Sequence, residues 1–320
     1  MKGLLRSACV GIAVTSMMIA KLDCAAAAAA SPPPDAVAVG YTQNTFSSFA
    51  PGSIDINDTR KSGFSWYLWH YFGGNAQPQN IVVNPDGSVT LNGDTTGPNG
   101  QLTTAAPAKN AQKFVGVAFG GGAYIEASLK FDPVAAHDKS KKGWPSFWSL
   151  SLEHAVTSSA QWAGKEPNYE HFIEVDFFEY DIVDGGNYYG ATMHDWYGLY
   201  NKTCAGRAFC SVGRAYSDVK TAVRGDTDFT RYHTYGFLWV PANGSSMGYG
   251  QFYFDRNPVG KRVSWTKIAG QDGLPDQQPW QFGILDNHHL TLILGTGVGK
   301  PMTVGSVNVW QSSDSQNLRN

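Results

Sequence analysis

Past residue 40 the chain is a succession of short apolar runs, most of them interrupted by a polar residue at every second position. GGGAYIEASLKFD sets Ile125, Ala127, Leu129 and Phe131 against Tyr124, Glu126, Ser128 and Lys130. A period of two predicts a strand with one buried face. NIVVNPDGSVTLNG holds two β-prone runs, IVV and SVTLN, around a PDG turn, and predicts a hairpin. GWPSFWSLSLEH, FIEVDFFEY, YYGATMHDWYG, YHTYGFLWVP, GYGQFYFDRNPV, LTLILGTG and SVNVWQ continue the series, separated by turn residues. Helical periodicity is scarce. The length would fit a (β/α)₈ barrel, but the strands do not alternate with helical stretches. The pattern predicts an all-β fold, a β-jelly roll sandwich of two packed antiparallel sheets.

The first 30 residues follow another rule. Lys2 and Arg6 precede an apolar stretch from about Ala8 to Ala20, and an alanine run then leads to SPPPD. A charged start, a short apolar segment and small residues before a cleavage zone describe a secretory signal peptide. The apolar stretch is short for a membrane span. Cys24 follows Asp23, which is not the small residue that a lipid-attachment signal carries. Residues 1–30 are therefore expected to be removed, with 31–40 as a flexible lead-in and 41–320 as one domain. The mature protein is expected outside the cytoplasm, periplasmic or extracellular, and not in a membrane.

Composition narrows the function. The formal charge is −2, with 16% charged residues and no basic stripe, which argues against a nucleic-acid partner. Ten Trp, 15 Tyr, 17 Phe and 36 Gly make the chain aromatic and Gly-punctuated. Aromatic rings pack against the C–H faces of pyranoses, so a polysaccharide partner fits this composition. Cys204 and Cys210, with five residues between them, are expected to form one disulfide that staples a loop. A metal site from this pair lacks a second cysteine pair to complete it. Nothing in the chain points to an oligomer, and a monomer is expected.

The candidate chemistry lies in HFIEVDFFEY, residues 171–180. Glu174, Asp176 and Glu179 fall within an otherwise apolar and aromatic run that holds no Lys or Arg. Strict alternation points Ile173, Val175 and Phe177 to one face and Glu174 and Asp176 to the other. It would send Glu179 into the apolar face, where an unpaired carboxylate is strongly unfavourable. One extra residue, a β-bulge near Phe177–Phe178, restores Glu179 to the face of Glu174 and Asp176. Glycosidic hydrolysis with retention uses two carboxyl groups about 5–5.5 Å apart. The backbones of Glu174 and Glu179 would stand about 13 Å apart along the strand. Two Glu side chains leaning together over a shorter Asp can narrow that gap. A calcium site or a solvated charged edge are the other readings of the bare pattern. Glu170 shares strand parity with Glu174, so spacing alone also allows a 170/174 pair.

EVDFFE resembles the ExDxxE signature of glycoside hydrolase family 16 in its bulged form. Other segments agree in order. GGGAYIEASLKFD resembles the family's strand ending in E-A-x-x-K, and GWPSFWSL its W-P-A-F-W segment. YHTYGFLWVP with QFYFDRNPV resembles its H-x-Y-x-x-x-W-x-P strand and the following Y-x-D-G hairpin. VGSVNVWQ resembles its terminal V-D-Y-V-R-V-Y-Q strand. The likeness runs from about residue 114 to 311, with a weaker lead-in from about 41. It implies a concanavalin A-like jelly roll and a retaining endo-enzyme on β-glucans or galactans, with transglycosylases among the family's members. It implies Glu174 as nucleophile, Asp176 as its helper and Glu179 as acid/base. It implies sugar contacts for Trp144, Trp148, and His194 and Trp196 of ATMHDW, against which core packing or a merely structural histidine is the alternative. Gly305 stands where the family often has an Asp that helps hold a calcium, so no cofactor or metal is called for. LTLILGTG departs from the family's L-N-x-x-x-G-G ending. The loops HAVTSSAQWAGKEPNYE and LYNKTCAGRAFCSVG match no single substrate group. A β-1,3- or mixed β-1,3-1,4-glucanase is the expected activity. A galactan hydrolase or transglycosylase on the same fold, or a non-catalytic lectin-like protein, is the alternative.

Overall fold

The computed structural model describes residues 31–320 apart from positions 48, 51, 70, 72–76, 94–100, 110–112, 141, 158, 161–166, 182–187, 205–206, 210–213 and 268–281, and apart from the side chains of 200–222. The expected signal peptide (1–30) and the Cys204–Cys210 pairing lie outside the described residues. No helix among the described residues is long and apolar enough to cross a membrane.

Two large sheets account for most of the strands, and the expected all-β sandwich is what forms. One sheet runs Asn257–Trp265, Gly248–Phe254, His233–Val240, Ala123–Phe131, Met302–Gln311, Val89–Leu91 and Ile81–Val83, with Gln43–Ser47 also paired to Met302–Gln311. The other runs Arg207–Phe209, Tyr188–Cys204, Tyr169–Glu179, Ser146–Ser151, Leu290–Gly295, Leu102–Thr103, Trp66–Tyr67 and Ile54–Asp55, with Arg214–Ala222 on Tyr188–Cys204. Pairing between these strands is antiparallel, except between Ile54–Asp55 and Trp66–Tyr67. The expected PDG hairpin joins Ile81–Val83 to Val89–Leu91. Ile125, Ala127, Leu129 and Phe131 from the first sheet meet Phe147, Ile173, Val175, Phe177 and Phe178 from the second in one core. Burying side chains of this size stabilises each by about 1.5–3 kcal/mol.

The strand Ala123–Phe131 is buried on both faces along its first half, where alternation predicts one solvated face. The cause is the N-terminal segment. Within 31–40, read from SPPPD as a flexible lead-in, Pro34–Ala38 form a short helix on the outer face of the first sheet. Ala36 and Tyr41 pack with Tyr124, Leu238, Tyr253 and Trp310. Tyr253 Oη donates to Asp35 Oδ2 at 2.7 Å. This cover buries Glu126, which Arg256 grips at both oxygens, at 2.6 and 3.1 Å. Arg256 also donates to the Ser31 carbonyl.

Arg256 sits in the two-residue turn between Phe254 and Asn257, where Asp255 and Arg256 have φ of 47° and 64°. Positive φ at both central residues is the turn that favours Asp-Gly or Asn-Gly. An Arg there carries strain of about 1 kcal/mol. Arg256→Gly relieves that strain but leaves Glu126, which is 2% exposed, without its charged partner and with the Tyr124 hydroxyl as a neutral donor, a loss of about 3 kcal/mol. The variant is therefore expected to be less stable by about 2 kcal/mol, measured by urea unfolding. Equal or greater stability would show that the ion pair contributes nothing net.

Candidate active site

The bulge predicted at Phe177–Phe178 is present and sets the site. Against the strand Ser146–Ser151, Phe147 pairs with Phe178 while the next residue, Trp148, pairs with Asp176. Against Tyr188–Cys204, Asp176 pairs with Thr192 and Glu179 with Gly190. Phe177 and Phe178 both turn into the core. That double insertion lets Glu179 rejoin Glu174 and Asp176 on the outer face of the second sheet.

Cross-strand neighbours then supply the partners. Glu174 lies opposite His194, and same-face neighbours on adjacent strands stand about 4.5–5.5 Å apart. Trp196, two residues along, donates its Nε1–H to Glu174 Oε2 at 2.8 Å. The His194 ring lies nearly parallel to the Trp196 indole, 5.6 Å away. His194 Nε2 is 3.0 Å from Asp176 Oδ2. That is close enough for an ion pair, but it is not aligned as a hydrogen bond, and neither Asp176 oxygen has a well-aligned donor. Trp144 Nε1–H donates to Glu179 Oε1 at 2.9 Å. Each outer carboxylate is thus held by one indole, and the central one sits beside an imidazole.

Glu174, Glu179 and Trp144 open on a pocket of about 340 Å³ lined also by Gln101, Gly143, Ser146, Trp148 and Thr296. Trp144 is 40% exposed, while Trp148 is 5% exposed and packs with Leu150, Phe172 and Ile293. Trp148 therefore presents an edge to the pocket rather than an open face. Glu170 belongs to a different group. It pairs with His154 Nδ1, whose Nε2 meets the Tyr71 hydroxyl, and His154 stacks on Phe172 at 3.6 Å. The 170/174 alternative would need a carboxylate already engaged by a histidine.

Burial first, then the charge of Asp176, pushes Glu174 well above the usual carboxylate range. Burial and then Glu179 do the same to Asp176. Burial raises Glu179 as well, opposed by the Trp144 donor. Burial and mutual repulsion thus favour the protonated forms within the cluster. They also cost stability. A carboxylate whose folded pKa is raised stabilises the fold while protonated, and that part is lost as pH rises from the ordinary Asp value through the folded one. Asp176→Asn is therefore expected to unfold at higher temperature than wild type at pH 8, with the gap closing at pH 4. An equal gap at both pH values would show packing rather than charge.

Glu174, Asp176 and His194 bring one ligand-type atom each within 4.8 Å of one another, a donor set open to a divalent cation. Gly305 offers no side-chain donor, a Cβ there would lie 3.0 Å from the Tyr232 ring, and the Lys130 ammonium stands 4.7 Å over that ring. Sequence reasoning missed Gln101, Ser146 and Thr296 on the pocket wall and the Tyr71–His154–Glu170 group. Ser146 lies between Trp144 and Trp148 and Glu170 is singled out by parity alone, while the others come from separate segments that no short-range pattern joins.

No family model matches the chain, and no curated protein matches it. Among solved structures, an endo-1,3-beta-glucanase from Streptomyces sioyaensis is similar at 19% identity and a TM-score of 0.42, covering 76% of this chain and 80% of that one. The kappa-carrageenase from Pseudoalteromonas carrageenovora, in complex with an oligosaccharide of kappa-carrageenan, is similar at 15% identity and a TM-score of 0.37, covering 73% and 83%. The Emp46p carbohydrate recognition domain, in its metal-free form, is similar at 10% identity and a TM-score of 0.37, covering 72% and 85%. At these values the likenesses decide neither family nor activity, and what the site does follows from its own residues.

Proposed function

We propose that this protein is a secreted, retaining endo-β-glycosidase of the family 16 kind that hydrolyses β-1,3- or mixed-linkage β-1,3-1,4-glucan. The observation that carries the reading is the bulge. It gathers Glu174, Asp176 and Glu179 on one face, brings Glu174 and Glu179 to the wall of an aromatic-edged pocket, and leaves these two glutamates with separate indole donors. In the first step the Glu174 carboxylate attacks the anomeric carbon while Glu179 gives its proton to the departing glycosidic oxygen. The bond to the leaving sugar breaks and a glycosyl ester forms on Glu174. In the second step ionised Glu179 takes a proton from water, which displaces Glu174 and restores the starting configuration. Asp176 and His194 set the charge around Glu174 during both steps.

The test is a panel of soluble β-glucans and galactans, with product lengths read by mass and the first-formed anomer read by proton NMR. β-Glucan fragments of β configuration support the reading. Fragments from galactan alone, or products longer than the starting chains, move it to a galactanase or a transglycosylase. Sugar binding without products, unchanged in Glu174→Gln, replaces it with a non-catalytic carbohydrate-binding protein.

A further inference from the structure

The contact between Trp144 and Glu179 needs a cause. An indole that is 40% exposed has few packing contacts to hold its angle. A two-torsion side chain in solvent samples several rotamers unless its backbone is fixed. Here the backbone is fixed from below by a loop that contributes only Thr296 to the pocket wall.

That loop, residues 296–300, reads TGVGK. Lys300 is 5% exposed, and its Nζ donates to the Gly143 carbonyl at 2.8 Å. Val298 N–H donates to the Lys142 carbonyl at 2.8 Å. The approach is as close as glycine allows, since a Cβ on Gly297 would stand 2.2 Å from the Gly143 oxygen. Gly93 closes the other side, where a Cβ would stand 1.9 Å from the Gly297 oxygen. Lys300 N–H donates to the Gly297 carbonyl and Thr296 Oγ1 to the Lys300 carbonyl, so the loop is tied to itself. On the far side of Trp144, Tyr180 N–H donates to the Pro145 carbonyl at 3.0 Å. Burying an ammonium is costly. Its bond to the Gly143 carbonyl constrains where residue 144 begins.

We propose that Lys300 is a positioning residue for Glu179: its ammonium fixes the Gly143 carbonyl, and the fixed backbone aims the Trp144 indole N–H at Glu179 Oε1. The inference rests on the reading of Glu179 as the proton donor. The bond to Oε1 leaves Oε2 to carry the proton. It also favours the ionised carboxylate and so trims the rise that burial imposes on Glu179.

The experiment has a readout that does not depend on turnover. The Trp144 indole N–H resonance, identified by its loss in Trp144→Phe, should move with pH in wild type and stop moving in Glu179→Gln. In Lys300→Met that pH response should vanish while the remaining indole signals stay in place. On glucan, kcat should fall about tenfold at unchanged KM, the size of one hydrogen bond to a charged group. The basic limb of the pH–rate profile should rise by about one pH unit, because Glu179 loses the donor that favours its ionised form. Trp144→Phe should give the same rise, and the double variant no further one. If Lys300→Met does not fold, Gly297→Ala tests the second link, since its Cβ must displace the Gly143 backbone that aims Trp144. An unchanged Trp144 titration in whichever variant folds overturns the proposal. Wild-type protein that cleaves no glycan overturns the proposed function instead, and the indole titration still decides the role of Lys300.

Discussion

Glu174→Ala is expected to lose turnover on β-glucan by about 10⁴-fold or more, because on the proposed mechanism Glu174 forms the covalent intermediate. The expectation is specific to this residue. Glu174 receives the Trp196 indole and lies across the ladder from His194, so its ionised form has a donor and a nearby cation-forming group. Asp176 is shorter and more deeply buried. The stereochemistry of rescue gives the assignment a second edge. With an activated β-glycoside, azide can enter the space vacated by the side chain and attack from the α face. The product is then an α-glycosyl azide, opposite in configuration to the substrate. A β-azide, or wild-type turnover in this variant, removes Glu174 from the nucleophile's place. Glu170→Ala is the companion measurement. Its loss should be modest, since Glu170 is paired with His154, and a dead Glu170→Ala beside an active Glu174→Ala would shift the motif by four residues.

Much of this site was legible because of a conflict in the sequence. Period-two alternation placed most of the strands, since burial of one face enforces it along a strand. Glu179 broke that alternation, and the cost of burying a lone carboxylate left a bulge as the resolution. Phe177 and Phe178 confirm the logic from the other side, as both enter the core. What could not be read depends on contacts between segments far apart in the chain. Tyr124 and Glu126 look solvent-facing by pattern, and only residues 34–41, which have no periodicity of their own, reveal why they are buried. Trp144 was read as a sugar contact from its place in GWPSFW, but its bond to a glutamate 35 residues on is invisible to spacing. TGVGK reads as an ordinary glycine turn, and its contact with Gly143 is set by the sheet order, which puts Leu290–Gly295 beside Ser146–Ser151.

The opposite pattern of losses is expected when the acid/base is removed. Glu179→Ala should be slow on natural glucan by about 10²–10⁴-fold, the usual share of general acid catalysis. It should be nearly normal in its first step on aryl glycosides with good leaving groups, which depart without a proton. The second step then limits, because no base activates water, and the glycosyl ester on Glu174 accumulates where mass spectrometry can find it. Azide needs no base, so it should restore turnover. Its product should be a β-glycosyl azide, since Glu174 still holds the sugar by its α face. Only the first-step identity of Glu174 makes the two azides differ in configuration, so the pair of variants tests the two roles against each other. The pH profile supplies a third line. In wild type the basic limb belongs to the acid, which must be protonated to act, and burial places that limb above the ordinary glutamate range. In Glu179→Ala, on a substrate that needs no proton, the basic limb should be absent while the acidic limb, set by Glu174, remains. A basic limb that persists there would mean that another group is the acid, and the double insertion at Phe177–Phe178 would then serve the fold rather than the chemistry.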